Sequence, residues 1–240
     1  MAYRPIYYDT ETTGLRAGSD QIIEIAAYDP ELDREFVSFV RPSIPIPKES
    51  TDICGITNEM VAEASDWSIV AKQFIEFCSG DVILVAHNND NFDIHFLRAE
   101  CKRCEVELPD WKYFDTLKWA RKYRPDLPRH GLQLLREHFG IPANTAHRAL
   151  DDVVILHKVA SIMIDDLSID TAWSLLYDAT TSNQKIVNMP FGKHQGIALD
   201  KVPTNYLKWL KSSGALDKPE NAALSKAIEE IISKEPATAE

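Results

Sequence analysis

The sequence has 240 residues, of which 45% are hydrophobic and 26% are charged, as in one large globular domain or a domain with a small appendage. Its formal net charge of −11 disfavours a protein that coats duplex nucleic acid, because such binding relies on many Lys and Arg contacts to phosphates. The sequence shows neither a signal peptide nor an apolar run long enough to cross a bilayer. We therefore expect a cytoplasmic protein that does not contact membranes.

The predicted elements begin with an antiparallel meander of three strands, at 6–9, 21–29 and 35–40. A proline-rich loop follows at 41–50. From residue 65 onwards, helices alternate with strands. The predicted helices cover 65–80, 92–104, 117–123, 132–140 and 149–163, and the predicted strands cover 82–87 and 112–115. This order is typical of an α/β layer fold with a mixed sheet, but it does not determine the order of the strands.

The first strand ends in a group of polar residues, DTETTG at 9–14. Because residues i and i+2 of a strand point to the same face, Asp9 and Glu11 project side by side. Neighbouring carboxylates repel each other unless a cation lies between them, and oxygen ligands of this kind suit Mg²⁺ or Mn²⁺. The alternative is a polar strand end at which Thr and Gly residues form a turn.

A second polar segment, HNNDNFD, follows the predicted strand at 82–87. The carboxyl ends of strands are where α/β sheets place ligand sites, so Asn88 and Asp93 are candidate site residues. The alternative makes Asn88 and Asn91 turn residues and Asp93 a helix cap.

The third segment, HRALDD at 147–152, leads into a helix. Asp152 shares a helical face with apolar residues three, four, seven and eleven positions later, whereas Asp151 aligns with Lys158. Asp152 is therefore predicted to point inward, where a buried carboxylate needs a partner such as a metal ion. His147 is a candidate base near neutral pH, and the alternative is a buried, hydrogen-bonded histidine.

Together, YYDTETTGL, AHNNDNFDIHFL and HRALDDV resemble the three motifs of the DEDDh family of 3′→5′ exonucleases. The resemblance covers roughly residues 4–163. It implies a ribonuclease H-like fold, in which helices flank a mixed five-stranded sheet. It also implies two divalent ions, Mg²⁺ or Mn²⁺, held by Asp9, Glu11, Asp93 and Asp152, with His147 as the general base. The residues implied to contact the terminal nucleotide are Thr12, Leu15, Ile53, Asn88 and Phe92.

Two features depart from the family pattern. Asp93 follows His87 by six residues instead of five, and we expect a bulge to absorb the additional residue. Cys54 occupies a position where relatives often have histidine, so contacts to the terminal base are expected to differ.

The C-terminal part of the chain changes character near residues 168–183. We predict an exonuclease domain at 1–168, a linker or helix at 169–183 and a small module with a tail at 184–240. The segment MPFGKHQGIALDKVPTNYLKWL resembles a module attached to exonuclease X-like proteins. Tyr206 and Trp209 are expected to form a small core, and the alternative is that they stack on nucleic acid.

These observations lead us to expect a DNA 3′→5′ exonuclease that acts on single strands or frayed ends. Replication or repair proteins are its possible partners. Basic residues gather at 112–130, as either a solvated helix face or a rim that contacts phosphates. The alternatives are an exoribonuclease that trims RNA 3′ ends and a non-catalytic accessory protein.

Overall fold

The computed structural model describes residues 3–142, 149–178, 188–189, 193–194, 196–214, 216 and 221–233. Five strands form one mixed sheet in the order β3-β2-β1-β4-β5. The strands are β1 (Arg4–Thr12), β2 (Ile22–Asp29), β3 (Arg34–Phe39), β4 (Val82–Ala86) and β5 (Lys112–Asp115). The first three are antiparallel, whereas β4 and β5 run parallel to β1 and to each other. The predicted mixed five-stranded sheet is confirmed.

The helices alternate with the later strands, as predicted. They are α1 (Lys48–Cys54), α2 (Asn58–Val61), α3 (Trp67–Phe77), α4 (Asp93–Arg103), α5 (Thr116–Tyr123), α6 (Leu132–His138), α7 (Ala149–Ile164), α8 (Ile169–Tyr177), α9 (Thr204–Ser212) and α10 (Ala222–Ser233). Within the described ranges, no helix is long and apolar enough to cross a membrane.

The central strand β1 has different helices on its two faces. Ile6 and Tyr8 are fully buried in the main core, which includes residues of α3 and α4 such as Phe74. Tyr7 points the other way, and its ring lies 4.9 Å from that of His157 in α7. Since side chains alternate along a strand, Asp9 and Glu11 must lie on the same side as Tyr7.

Helix α1 corrects one sequence prediction. The segment at 41–50 was predicted to be loop throughout, but the helix begins at Lys48, directly after Pro47. Proline suits this position because its fixed φ is compatible with a helix start, where an amide hydrogen would have no helical partner. The backbone N–H groups of Ser50 and Thr51 donate to the carbonyl oxygen of Pro47.

The chain divides into two compact units. The first comprises residues 1–120 and 129–173 and contains the sheet. The second comprises 121–128 and 174–240, and the buried residues of its core are aliphatic or methionine. They are Met189, Leu199, Val202, Leu207, Leu210, Leu216, Leu224 and Ile228. The predicted domain limits, at 168 and 184, stay predictions.

Candidate active site

Strand β1 presents two carboxylates on one face of the sheet. Asp9 and Glu11 are half-buried and lie two residues apart, on the side where α7 packs. The pairing of β1 with β2 shifts register between Glu11 and Thr12. Regular pairing therefore ends directly after the second carboxylate, at the carboxyl end of the strand.

Helix α7 brings a third carboxylate to this place. Asp152 lies in its first turn and is 9% exposed, whereas Asp151 is half-buried. Oxygen atoms of Asp9, Glu11 and Asp152 all lie within 4.8 Å of one another. Three carboxylate oxygens at this separation are a donor set suited to a hard divalent cation.

Asp93 approaches the same strand from its other side. It is the first residue of α4 and is buried, and its Oδ1 accepts a hydrogen bond of 2.7 Å from the Thr10 hydroxyl. Thr10 lies between Asp9 and Glu11 in β1, so its side chain points to the opposite face. The structure thus places Asp93 beside the group of three carboxylates but on the α4 side of the strand.

The surroundings of the site raise the pKa values of two of its carboxyl groups. Burial raises the pKa of Asp9 well above its usual value, and the charges of Asp93, Glu11 and Asp152 raise it further. Burial also raises the pKa of Asp93 to about 7, against the opposing effect of the hydrogen bond from Thr10. In the absence of a cation, these groups hold protons more tightly than isolated carboxylates do. A divalent ion would favour the ionised carboxylates, because its charge compensates theirs.

The additional residue between His87 and Asp93 lies in a turn. Asn89–Asn91 form a 3₁₀ turn, and Asn88 before it has a left-handed backbone with φ of 71°. The expected bulge is therefore wrong. Because β4 ends at Ala86, the residue is inserted beyond the paired strand and disturbs no ladder.

Asp115, at the end of β5, holds this turn in place. Its buried carboxylate accepts backbone N–H bonds from Asn88 at 3.0 Å and Asp90 at 3.1 Å. It also accepts N–H bonds from Leu117 at 2.8 Å and Lys118 at 3.2 Å, in the first turn of α5. A single carboxylate thus joins the turn that precedes Asp93 to a neighbouring helix.

Two predicted contacts to the terminal nucleotide are exposed apolar side chains. Leu15 is 85% exposed and Ile53 is 64% exposed. The Ser50 hydroxyl donates to the backbone carbonyl of Thr13 at 2.7 Å, which ties α1 to the loop after β1. Ile53 and Leu15 each lie within three residues of this hydrogen bond.

The other three predicted contacts have partners within the protein. The Thr12 hydroxyl donates to the backbone of the following turn at 2.6 Å, and Asn88 Oδ1 accepts from the Asn91 side chain at 3.2 Å. The Phe92 ring packs against the main core, with its centroid 4.9 Å from that of Phe96. Their roles in substrate binding stay predictions.

The predicted base, His147, lies outside the described residues, in the segment 143–148. Helix α7 begins two residues later, at Ala149, and Asp152 follows in its first turn. The role of His147 therefore also stays a prediction.

Comparison with known proteins identifies the family to which this arrangement belongs. The profile of the exonuclease family RNase_T matches residues 6–160, about two thirds of the chain. The chain belongs to this exonuclease family. The resemblance to DEDDh 3′→5′ exonucleases is thereby confirmed. Residues 182–228 match a second family, described as a putative quorum-sensing-regulated virulence factor.

Relatives and solved structures cover mainly the exonuclease domain. The PolC-type DNA polymerase III of Streptococcus suis is 34% identical over 164 residues, which are 67% of this chain but only 11% of that protein. An Escherichia coli exonuclease I complex with single-stranded DNA has a TM-score of 0.62 at 21% identity, over 68% of this chain and 41% of the other. Exonuclease X, solved with 5′-overhanging duplex DNA, has a TM-score of 0.52 at 26% identity, over 67% of this chain and 90% of the other. The predicted ribonuclease H-like fold is confirmed.

The exonuclease domain holds Asp152 through a residue that sequence analysis missed. In α6, Gln133 Nε2 donates to Asp152 Oδ1 at 2.7 Å. The Gln133 side-chain oxygen Oε1 accepts from Arg136 Nε, also at 2.7 Å, and Arg136 donates to the backbone oxygen of Ile141 at 2.8 Å. A side-chain amide within an amphipathic helix gives no sequence signal for such a role.

Glu24 is a second residue of the exonuclease domain that sequence analysis missed. It is 1% exposed in β2, opposite Glu11, and accepts the backbone N–H of Ala149 at 3.2 Å. This bond fixes the first residue of α7, three positions before Asp152. A charged residue within the apolar strand IIEIAAYD is the signal that identifies it, since a buried charge requires a partner.

We expect Glu24→Ala to lower the free energy of unfolding by about 1–3 kcal/mol, because it leaves a buried N–H without its acceptor. Urea unfolding followed by circular dichroism measures this change. Glu35→Ala is the matched control, since Glu35 is exposed on the neighbouring strand β3. The control should stay within about 0.5 kcal/mol of the parent protein. Equal losses in the two variants would contradict an anchoring role for Glu24.

Proposed function

We propose that this chain is a metal-dependent 3′→5′ exonuclease that releases nucleoside 5′-monophosphates from the 3′ end of DNA. The observation that carries the proposal is the group of carboxylate oxygens from Asp9, Glu11 and Asp152 within 4.8 Å, in a domain of the exonuclease family. A non-catalytic domain has no physical need to keep repelling carboxylates together. The site therefore supports catalysis better than it supports an accessory binding role.

The donor set fits divalent ions such as Mg²⁺ or Mn²⁺. Asp9, Glu11 and Asp152 would hold one ion, and Asp93 would help Asp9 to hold a second. The raised pKa of Asp9 supports this assignment, because burial and the charges of Asp93, Glu11 and Asp152 disfavour its ionised form, and a bound cation would offset both effects. Ions bound there would stabilise the charge on the attacking and leaving oxygens of phosphodiester hydrolysis.

The protein would supply the proton transfer and the orientation of the substrate. His147 would accept a proton from the attacking water. Leu15 and Ile53 would pack against the terminal base, since both are exposed and apolar. Gln133 and Glu24 would act as positioning residues that hold Asp152 and the start of α7.

DNA is the favoured substrate, in the form of single strands or frayed ends. Exonuclease I and exonuclease X were solved with DNA, and the polymerase relatives are DNA polymerases. The chain covers 11% of the first of these polymerases, so its association with replication or repair proteins, including a proofreading role, is part of the proposal. We also propose a cytoplasmic location, because cellular nucleic acid ends lie inside the cell.

The direction of attack gives a direct test. We expect Mg²⁺-dependent release of mononucleotides from a 5′-blocked single strand at the rate of an unblocked strand, and almost none from a 3′-blocked strand. Time courses with labelled DNA and RNA strands of matched sequence, both single and duplex, measure the rates. Affinity should fall less steeply with salt than for a protein that spans many phosphates.

Equal release from 3′-blocked and unblocked strands would contradict the proposed polarity. Faster hydrolysis of RNA than of DNA would favour an exoribonuclease instead. Binding of 3′ ends without hydrolysis at any Mg²⁺ or Mn²⁺ concentration would favour an accessory protein.

A further inference from the structure

Helix α9 of the second unit has one buried and one exposed face. Leu207 and Leu210 are buried in the small core, whereas Trp209 is 57% exposed. Tyr206 is half-buried and packs against that core. The expectation that both aromatic residues form a core is thus wrong for Trp209. Helical geometry explains this, since the core takes the side of Leu207 and Leu210 and leaves Trp209 outside.

Three rings form a row that leads to the exposed tryptophan. The centroids of His194 and Tyr206 lie 4.5 Å apart, and those of Tyr206 and Trp209 lie 5.5 Å apart. Because Tyr206 is fixed against the core, it supports the Trp209 ring from one side. An indole held in this way offers its remaining surface to a planar partner without losing much conformational freedom.

The segment of the chain that contains these three rings has a positive net charge. Residues 193–213 contain four lysines and one aspartate, in a chain whose net charge is −11. Lys193, Lys201 and Lys208 are exposed, and Lys211 lies 2.8 Å from Glu229. A local excess of lysine beside an exposed ring suits a ligand that combines negative charge with flat apolar groups.

We propose that the surface formed by His194, Tyr206, Lys208 and Trp209, here called the α9 surface, binds the single-stranded part of the nucleic acid substrate. A base stacks on Trp209, and phosphates lie near the exposed lysines. Basic residues combined with stacking aromatics are how single strands are bound without sequence preference. This inference rests on the proposed exonuclease function for the nature of its ligand. The proposed contact with nucleic acid is distant in sequence from every proposed metal ligand.

Binding is measured on the full chain in EDTA, so that no strand is cut. Of the five tryptophans, four are buried or half-buried, so Trp209 is the exposed reporter. Adding oligo(dT) or oligo(U) should quench its emission and protect it from acrylamide. Trp209→Ala should remove this response and weaken binding, measured by anisotropy of a labelled strand, by roughly 10- to 100-fold. Trp209→Phe should restore most of the affinity, and Lys208→Ala should reduce the salt dependence.

Ile162→Ala is the matched control, because Ile162 is an apolar residue 48% exposed in the exonuclease unit. It should leave strand affinity unchanged. In Mg²⁺, Trp209→Ala should raise KM for long strands and leave kcat on very short strands unaltered. A purely structural effect would instead change the circular dichroism spectrum and impair the hydrolysis of long and short strands together.

If Trp209→Ala bound strands with unchanged affinity and its emission were still quenched by oligonucleotides, binding at the α9 surface would be refuted. The exonuclease proposal would remain intact. Quenching by poly-glutamate peptide but not by oligonucleotides would also overturn it, in favour of a protein partner. Binding through Trp209 by a chain that hydrolyses no strand would support the surface and refute the exonuclease function.

Discussion

Replacing Asp152 with alanine should reduce Mg²⁺-supported hydrolysis by about 10³-fold or more. Asp152 is buried in the first turn of α7, within 4.8 Å of the oxygens of Asp9 and Glu11. Loss of this ligand removes charge stabilisation worth several kcal/mol, and each ~1.4 kcal/mol corresponds to a tenfold change in rate. Single-turnover degradation of a labelled strand measures the rate, and calorimetry with Mn²⁺ should show weakened binding in the same variant.

Asp151→Ala is the control for this experiment, since it removes the same charge one residue earlier in α7. Asp151 does not belong to the group of three carboxylates, so the variant should keep most of the activity. A large loss in Asp151→Ala, with none in Asp152→Ala, would reverse the assignment of the ligand. Equal losses in the two variants would indicate that overall negative charge matters more than ligand geometry.

Local periodicity was sufficient to predict the direction of three carboxylates, and the family resemblance implied that they meet at one site. Alternation in β1 predicted the common face of Asp9 and Glu11, and helical spacing predicted the buried side of Asp152. The order of the strands required long-range pairing, which no local pattern contains. The hydrogen bond from Thr10 to Asp93 was likewise not predictable, since it joins residues that are 83 positions apart.

The residues that sequence analysis missed act through specific atoms in the folded chain. Nothing in the local sequence distinguishes Gln133 or Asp115 from other polar residues. Their roles depend on tertiary contacts, since Gln133 donates to Asp152 and Asp115 accepts from Asn88. The position of Trp209 was misjudged for a related reason. Its aromatic character suggested burial, whereas the described core of the second unit is filled by aliphatic side chains and Met189.

The proposed hydrolysis would use a base in addition to the carboxylates. All four site carboxylates, Asp9, Glu11, Asp93 and Asp152, are predicted to hold cations, which leaves them poorly suited to accept the proton of water. His147 precedes Ala149, the start of α7, by two residues, and Glu24 anchors Ala149. Histidine is the residue type whose side chain most readily accepts a proton near neutral pH.

His147→Ala should therefore lower kcat by about 10²–10⁴-fold, the usual contribution of a general base. Mn²⁺ affinity should stay near that of the parent protein, because the proposed ligands are all carboxylates. Rates in saturating Mg²⁺ and titration calorimetry with Mn²⁺ measure the two effects separately. His138→Ala is the control, since His138 is an exposed histidine at the end of α6 and should leave both quantities unchanged. A collapse of Mn²⁺ affinity in His147→Ala would show that this residue is a metal ligand, and the proton would then require another acceptor.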